Sequence, residues 1–244
     1  MGLEHSAAYN TTRGRIVELV TSENAGTPAP ACPGWSVGDV VSHLSGLARD
    51  VLEGRLEGYA TPEWTARQVE ERRPLALDDV KGEWEHTIAH FAGLLMDPQA
   101  ANLGAPLVTR YGPVTPAMLP AIVVTDAVVH EHDIRGALGR PGARDSEAVG
   151  IAMRSHVALL RFIGAARKLP DLELVASDTD QRWRVGRGEP AATLFAPAFE
   201  LFRATGGRRS GGQIAAMGWA GDSQGWLDHL VMGVYSVPAT DLVE

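Results

Sequence analysis

Three ionisable side chains lie on one stripe of a segment that is otherwise apolar or small. The segment covers residues 118–134, and the three side chains are Asp126, His130 and Asp133. Their i, i+4, i+7 spacing places them on one face of a helix. Burying such a stripe costs free energy unless a partner compensates the charges. A metal cation is the simplest partner, because imidazole and carboxylate are ordinary metal ligands. The segment therefore predicts a buried helix that contributes to a metal site.

The first two-thirds of the chain has the apolar periodicity of helices. Helices are predicted over about residues 6–22, 36–51, 77–96, 116–138 and 146–167. The second begins at Ser36, with Asp39 three residues later, which resembles a capping box. The fourth is apolar around most of its circumference, which indicates the centre of a bundle. The segments 54–74 and 99–114 are predicted loops that shape a pocket.

The sequence pattern changes near Pro170 to one that is typical of a mixed domain. Residues 172–176 and 182–185 predict two strands around a polar turn. A short helix over 197–204, a flexible basic loop over 206–212, a strand over 213–219 and a closing helix over 223–235 are expected to follow. The predicted fold class is α+β, with a helical bundle in residues 1–168 and a smaller α+β domain in residues 169–244.

Composition limits the classes of partner. The chain has 244 residues and a net charge of −8, without a basic stripe, which argues against nucleic acid as a partner. No uncharged apolar run reaches the length of a membrane span, and the N-terminus lacks the layout of a signal peptide. The single cysteine, Cys32, excludes a disulfide framework. A soluble, cytoplasmic protein is the expectation.

A third metal ligand is expected from a second helix, since Asp126 and His130 alone would bind an ion weakly. His43 is the candidate, because it borders the apolar face of the helix that begins at Ser36. Two histidines and one carboxylate leave coordination positions open, as in catalytic sites. Asp133 could hold the free ring nitrogen of a histidine. The alternative interpretation is a set of buried side chains that only hydrogen-bond one another.

Other polar residues give weaker indications. His86 and His90, with Glu83, are spaced as ligands but lie opposite an apolar stripe, which favours a solvated face. Cys32 has no base near it in the sequence, which argues against a nucleophile. His156 is predicted in the core, and the sequence places two other residues at the rim or surface, namely Glu131 and His132.

Arg208 and Arg209 lie in a glycine-rich segment. Glycines allow close approach to a ligand, and a guanidinium binds carboxylates through two parallel hydrogen bonds. A solvated turn is the alternative interpretation.

The chain resembles the mycothiol-dependent maleylpyruvate isomerase family, part of the DinB-like group of four-helix metal proteins. The resemblance begins in CPGWSVGDVVSHL (32–44), WTARQV (64–69) and DAVVHEHDI (126–134), and continues in DQRWRVG (180–186) and GRRS (207–210). It implies a DinB-like four-helix bundle followed by the α+β domain. It also implies that His43, Asp126 and His130 hold a divalent metal ion, usually Zn²⁺, and that Arg208 binds or polarises the substrate. The family pattern has Glu where this chain has Asp126, which bears on metal affinity more than on location.

The resemblance further implies mycothiol, a sugar thiol, as cosubstrate. The expected function is a mycothiol-dependent S-transferase or isomerase that acts on a small electrophile through a metal-bound thiolate. Two alternatives stay open: a DinB-like protein that binds a ligand without turnover, and a metal-dependent hydrolase. The expected partners are the low-molecular-weight thiol and the electrophile, in a monomer or homodimer.

Overall fold

Two compact units make up the chain in its computed structural model, which describes residues 2–97, 107–109, 112–231 and 235–244. The first unit extends to Gly142 and includes Glu244, and the second is Ala143–Val243. The sequence predicts a boundary after residue 168. The two divisions differ by one long helix, which packs with elements of the second unit.

The first unit is the predicted helical bundle. Helices α1 (Gly2–Leu19), α2 (Val37–Glu53), α4 (Leu77–Met96) and α5 (Leu119–Ala137) pack on one another, and a short helix, α3 (Pro62–Glu70), packs on α2. A hairpin of β1 (Leu107–Thr109) and β2 (Gly112–Val114) precedes a 3₁₀ turn over Pro116–Met118, which leads into α5.

Aromatic side chains fill the bundle where α1 meets α4. The Tyr9 ring lies 4.9 Å from that of Phe91, and the indole N–H of Trp84 donates to the Tyr9 hydroxyl at 3.0 Å. All three side chains are buried. Such rings contribute large apolar areas, and pairing the indole with the hydroxyl avoids the cost of burying either group alone.

The prediction of a loop over residues 54–74 is wrong where α3 lies. The Thr61 side chain accepts a hydrogen bond from the Trp64 N–H, and Pro62 occupies the first turn. Both are standard signals for the start of a helix, but nine residues are too few for the apolar periodicity to be clear. Most of the other predicted loop, residues 99–114, lies outside the described residues.

In the part of the chain that the structure describes, the second unit joins four helices and a sheet. It begins with α6 (Glu147–Arg167), and the sheet has the order β4-β3-β5-β6. The two central strands are parallel and the outer pairs antiparallel. Helix α6 packs on β4 and α7, while α7 packs on β3. The elements after α6 are β3 (Leu172–Ala176), β4 (Arg182–Val185), β5 (Ala192–Ala196), α7 (Ala198–Thr205), α8 (Gly211–Ala215), β6 (Gly218–Gly221) and α9 (Gln224–Leu227).

Three short elements of this unit differ from the sequence prediction. Strand β5 was missed, and the strand predicted over 213–219 is helix α8 followed by β6. A capping box starts α8, since the Ser210 hydroxyl accepts from the Gln213 N–H while the Gln213 side chain accepts from the Ser210 N–H. The closing helix ends at Leu227, and residues 232–234 of its predicted span lie outside the described residues. The α+β fold class is confirmed.

Helix α6 is long and apolar enough, by length and composition alone, to cross a membrane. Half of that apolar window is buried inside the protein, as in a core helix. A single helix of this kind is weak evidence for a membrane span.

Candidate metal centre

Helix α2 positions His43. A capping box starts the helix: the Ser36 hydroxyl accepts from the Asp39 N–H, and the Asp39 carboxylate accepts from the Ser36 N–H. These bonds satisfy backbone donors that have no partner inside the helix. His43 is 4 % exposed, which places it inside the bundle.

Helix α5 positions Asp126, His130 and Asp133 on one stripe, as predicted. His130 and Asp133 are buried and Asp126 is half-buried. The helix is buried over most of its circumference, as its all-round apolar character predicts. The stripe thus faces the protein interior at His130 and Asp133, and part of the Asp126 carboxylate reaches solvent.

The two helices bring three potential ligand atoms together. Nε2 of His43 lies 3.3 Å from Oδ2 of Asp126, and Nε2 of His130 lies 3.7 Å from Oδ1 of Asp126. One ligand atom from each residue lies within 4.8 Å of the others. Two ligands 2.0–2.1 Å from one tetrahedral ion would be about 3.3 Å apart. The separations and the donor types therefore fit a small divalent ion.

The rings of His43 and His130 are oriented differently, and both lie near the same aromatic side chain. Their centroids are 5.1 Å apart and their planes make an angle of 78°. The Trp35 ring lies 5.3 Å from that of His43 and 6.3 Å from that of His130. Trp35 thus restricts both rings on one side of the cluster.

Asp133 contacts the other nitrogen of His130. Its Oδ2 lies 2.9 Å from Nδ1, and the same oxygen accepts the thiol of Cys32 at 3.3 Å. Because an ionised carboxylate only accepts hydrogen bonds, the proton of a neutral His130 lies on Nδ1. The lone pair of Nε2 then faces Asp126. The proposed partnership of Asp133 with a histidine is present in the geometry.

Cys32 is a neighbour that the sequence did not reveal. Its sulfur is 3.7 Å from Nδ1 of His130, and Cys32, His130 and Asp133 form a second cluster of potential ligand atoms. The two partners are 98 and 101 residues away in the chain, so no local pattern could indicate them. Nδ1 of His130 and the sulfur of Cys32 lie 2.9 and 3.3 Å from Oδ2 of Asp133, and both separations are hydrogen-bond distances. A thiol that donates to a carboxylate keeps its proton.

Two residues of α5 lie where the sequence analysis did not place them. Glu131 and His132 were expected at the rim or surface, yet both are buried. Glu131 accepts two hydrogen bonds of 2.7 Å from Arg15 and another from Arg135, so its charge is compensated inside the bundle. A helical wheel of α5 alone could not show that α1 supplies Arg15 as a partner for Glu131.

His86 and His90 lie on the exposed side of α4, as predicted. They line an open cleft with Arg49 and Leu52. Within the ranges that the structure describes, they belong to neither of the two clusters of three potential metal ligands.

Arg208 lies in the second unit, in a buried segment rather than a flexible loop. Residues 201–210 are all buried, which argues against the alternative interpretation of Arg208 and Arg209 as a solvated turn, and residues 211–212 of the loop predicted over 206–212 belong to α8. Arg208 Nη1 donates to the Gly206 carbonyl at 3.0 Å, and its guanidinium lies 5.5 Å from the centre of the Tyr235 ring. Arg209 forms hydrogen bonds of 2.6 and 2.8 Å with the Glu200 carboxylate.

His156 lies in the core of the second unit, as predicted, and interacts electrostatically with Arg208. The pKa of His156 is lowered to about 3, mainly by burial and further by the charges of Arg208 and Arg203. The Thr205 hydroxyl, which donates to the Leu201 carbonyl, lies 2.9 Å from Nδ1 of the ring. The hydroxyl has only one proton, which it donates to the carbonyl, so it accepts a hydrogen bond from Nδ1–H of the ring.

The family model for the mycothiol maleylpyruvate isomerase N-terminal domain matches residues 10–135, which is more than half of the chain. The chain belongs to the mycothiol maleylpyruvate isomerase family. The matched range contains His43, Asp126 and His130, whereas Arg208 lies beyond it. Membership confirms the suspected family and the prediction of an enzyme of this class.

Two crystal structures of a mycothiol-dependent maleylpyruvate isomerase share the fold of this family member. One has 14 % sequence identity and a TM-score of 0.62, and covers 85 % of this chain and 88 % of its own. The other, a mutant with one histidine replaced by alanine, has 14 % identity and a TM-score of 0.64, with 90 % and 91 % covered. No curated protein matches the chain.

Proposed function

We propose that this chain is a divalent-metal-dependent enzyme that uses mycothiol to isomerise or S-conjugate a small electrophile. The observation that carries the proposal is the convergence of His43, Asp126 and His130 from two helices, with ligand atoms within 4.8 Å of one another. Membership of the mycothiol maleylpyruvate isomerase family supports the choice of thiol.

Charge favours an anionic ligand at such a centre. Two neutral imidazoles and one carboxylate carry a net charge of −1, so a divalent ion would leave +1. A bound ion supplies a Lewis acid that stabilises a thiolate near neutral pH. Asp133 keeps the proton of His130 on Nδ1, and thereby leaves the Nε2 lone pair directed at the centre.

Zn²⁺ is the proposed ion, because histidine and carboxylate with an open coordination position are typical of catalytic zinc. Arg208 is the proposed binding group for negative charge on the substrate. Its guanidinium is buried, so the effective dielectric constant around it is lower than around a surface arginine. The lower dielectric constant strengthens its attraction for an anion.

The thiol and the electrophile define two net reactions. A sulfur–carbon bond forms, and the thiol proton passes to the substrate or to solvent. If the sulfur–carbon bond breaks again, the product is an isomer of the substrate. If it persists, the product is an S-conjugate: an addition product when the substrate takes the proton, or a substitution product when a leaving group departs with its electron pair and the proton passes to solvent. The proposed setting is the cytoplasm, in a monomer or homodimer, without nucleic acid or membrane as a partner.

Metal analysis of His43→Ala tests the centre directly. We expect wild-type protein to retain about one equivalent of Zn²⁺ after gel filtration, and His43→Ala to lose both the ion and thiol-dependent turnover. His86→Ala is the matched control, because His86 is an exposed histidine outside the cluster. Full metal content and activity in His43→Ala would exclude this site.

A second candidate function is ligand binding without turnover, and the shorter side chain of Asp126 favours it if the ion is bound weakly. A conjugation assay with mycothiol and 1-chloro-2,4-dinitrobenzene separates the candidates. Thiol-dependent conjugation supports the proposal. Metal binding without any turnover supports the second candidate, and hydrolysis of an activated ester without thiol supports a hydrolase.

A further inference from the structure

A buried side chain of α3 contacts the remaining nitrogen of His43. We propose that Gln68 is a positioning residue that holds the proton of His43 on Nδ1 and so presents the Nε2 lone pair to the metal centre. This inference rests on the proposed function, which names no partner for that nitrogen.

Gln68 lies between His43 and a second buried residue, Asp50. Nδ1 of His43 is 2.7 Å from Oε1 of Gln68, and Nε2 of Gln68 donates to Oδ2 of Asp50 at 2.8 Å. Gln68 is fully buried and Asp50 is 1 % exposed. Solvent therefore cannot substitute for either contact, and each polar atom depends on its protein partner.

Asp50 determines which end of the amide faces His43. An ionised carboxylate offers only acceptors, so the NH₂ group of Gln68 must face Asp50 and the carbonyl oxygen must face the imidazole. A carbonyl oxygen also only accepts. The hydrogen bond to Oε1 therefore requires a proton on Nδ1 of His43. In a neutral imidazole the lone pair is then on Nε2, which lies 3.3 Å from Asp126.

His43, Gln68 and Asp50 form a relay of hydrogen bonds. Arginines contact its outer end, which is Asp50. Arg67 donates to Oδ2 of Asp50 at 2.9 Å, and Arg55 lies 2.8 Å from Oδ1. Arg72 donates to the backbone carbonyl of Gln68 at 2.9 Å. The two guanidinium groups hold the Asp50 carboxylate in place opposite the NH₂ group of Gln68, which maintains the orientation of the amide.

A glycine in α2 makes room for the relay. A Cβ atom at Gly46 would lie 2.7 Å from Cβ of Gln68 and 3.0 Å from its Cγ. Gly46 is three residues after His43, so it is on the same side of the helix. The absence of a side chain there lets α3 approach closely enough for Gln68 to reach the imidazole.

The two histidines thus have different outer partners. His130 donates to a carboxylate, whereas His43 donates to a neutral amide. A charged acceptor increases the basicity of a ligating imidazole more than a neutral one. Gln68 therefore determines the tautomer of His43 without adding charge to the centre.

The test combines ¹⁵N-histidine NMR of the metal-free protein with Zn²⁺ competition against a chromophoric chelator. The variants are Gln68→Met, which has similar size and no acceptor oxygen, and Gln68→Glu, which retains an acceptor oxygen. Glu70→Gln, on the exposed side of α3, is the control. The signals of His43 are those that disappear in His43→Gln, and circular dichroism verifies folding.

We expect the His43 proton on Nδ1 in wild type, in Glu70→Gln and in Gln68→Glu. In Gln68→Met the proton should redistribute between the nitrogens, and Zn²⁺ affinity should fall about 10- to 100-fold. A wild-type His43 protonated on Nε2 would overturn the inference, as would a folded Gln68→Met with wild-type tautomer and affinity. If wild type binds no Zn²⁺ yet the tautomer responds as expected, the proposed function fails, and the part of the inference that stands is that Gln68 fixes the tautomer of His43.

Discussion

Asp133 concentrates two hydrogen bonds on one carboxylate oxygen. It accepts from Nδ1 of His130 at 2.9 Å and from the Cys32 thiol at 3.3 Å. Its negative charge makes Nε2 of His130 a better electron-pair donor. The residue is 1 % exposed, so solvent does not screen this effect.

Replacing Asp133 by asparagine should weaken metal binding about 10- to 100-fold, because a neutral amide replaces the carboxylate. Asparagine keeps the size of the side chain and an acceptor oxygen, so the main change is in charge. Zn²⁺ competition measures the effect, with Asp180→Asn in an exposed turn as the control. Unchanged affinity in Asp133→Asn would show that the carboxylate does not act on the centre.

The sequence allowed some residues of the candidate centre to be predicted and not others. The spacing of Asp126, His130 and Asp133 within one helix is visible in any local window. His43 required an assumption about which helix faces α5, supported by resemblance. Gln68 and Cys32 could not be predicted, because their contacts depend on how distant segments pack.

At the scale of elements, the packing of α3 on α2 depends on Gly46. A β-carbon there would meet Gln68 at 2.7 Å and Nη1 of Arg72 at 2.8 Å. Glycine in a helix interior ordinarily costs about 1 kcal/mol relative to alanine. Here close packing opposes that preference, since both neighbouring side chains are buried and hydrogen-bonded.

Alanine at Gly46 should therefore lower the free energy of unfolding, by about 1–3 kcal/mol as in other overpacked sites. Gly14→Ala in α1 is the matched control, because a Cβ there meets nothing within 4 Å. The control should raise the free energy of unfolding by about 0.5–1 kcal/mol. Urea denaturation measures both changes, and equal stabilisation by the two substitutions would contradict the packing argument.

Element length explains which parts of the fold the sequence analysis missed. The long helices α2, α4, α5 and α6 repeat their apolar positions over several turns, so they were predicted. Helix α3, strand β5 and helix α8 have nine, five and five residues. Periodicity cannot distinguish such short segments from loops, and only their caps give a local signal.

At the scale of the whole molecule, the two units bury ionisable groups in different ways. The first compensates Glu131 with two arginines. The second buries His156 as a neutral ring, beside the charges of Arg203 and Arg208. His156 therefore makes the stability of the second unit depend on pH, and it does not affect the first unit in this way.

We expect the second unit to lose stability as the pH falls below about 6.5. The unfolded chain gains a proton on His156 near its ordinary pKa of 6.5, whereas the folded chain resists protonation down to about 3. Between these values the group lowers the free energy of unfolding by up to about 1.4 kcal/mol per pH unit. His156→Gln should remove this contribution.

Urea denaturation from pH 7 to pH 4 measures the effect. His86→Gln, which changes an exposed histidine, should keep the wild-type slope of stability against pH. The prediction fails if His156→Gln and wild type have the same slope.

The position of the three donors has a consequence for folding itself. Residues 43 and 126 are 83 positions apart in the chain, and their side chains meet only when α2 and α5 are packed. An ion held between them would act as a reversible crosslink that the unfolded chain cannot maintain. Chelation would then lower the melting temperature of the bundle, so that supply of the ion and survival of the folded enzyme are governed by one equilibrium.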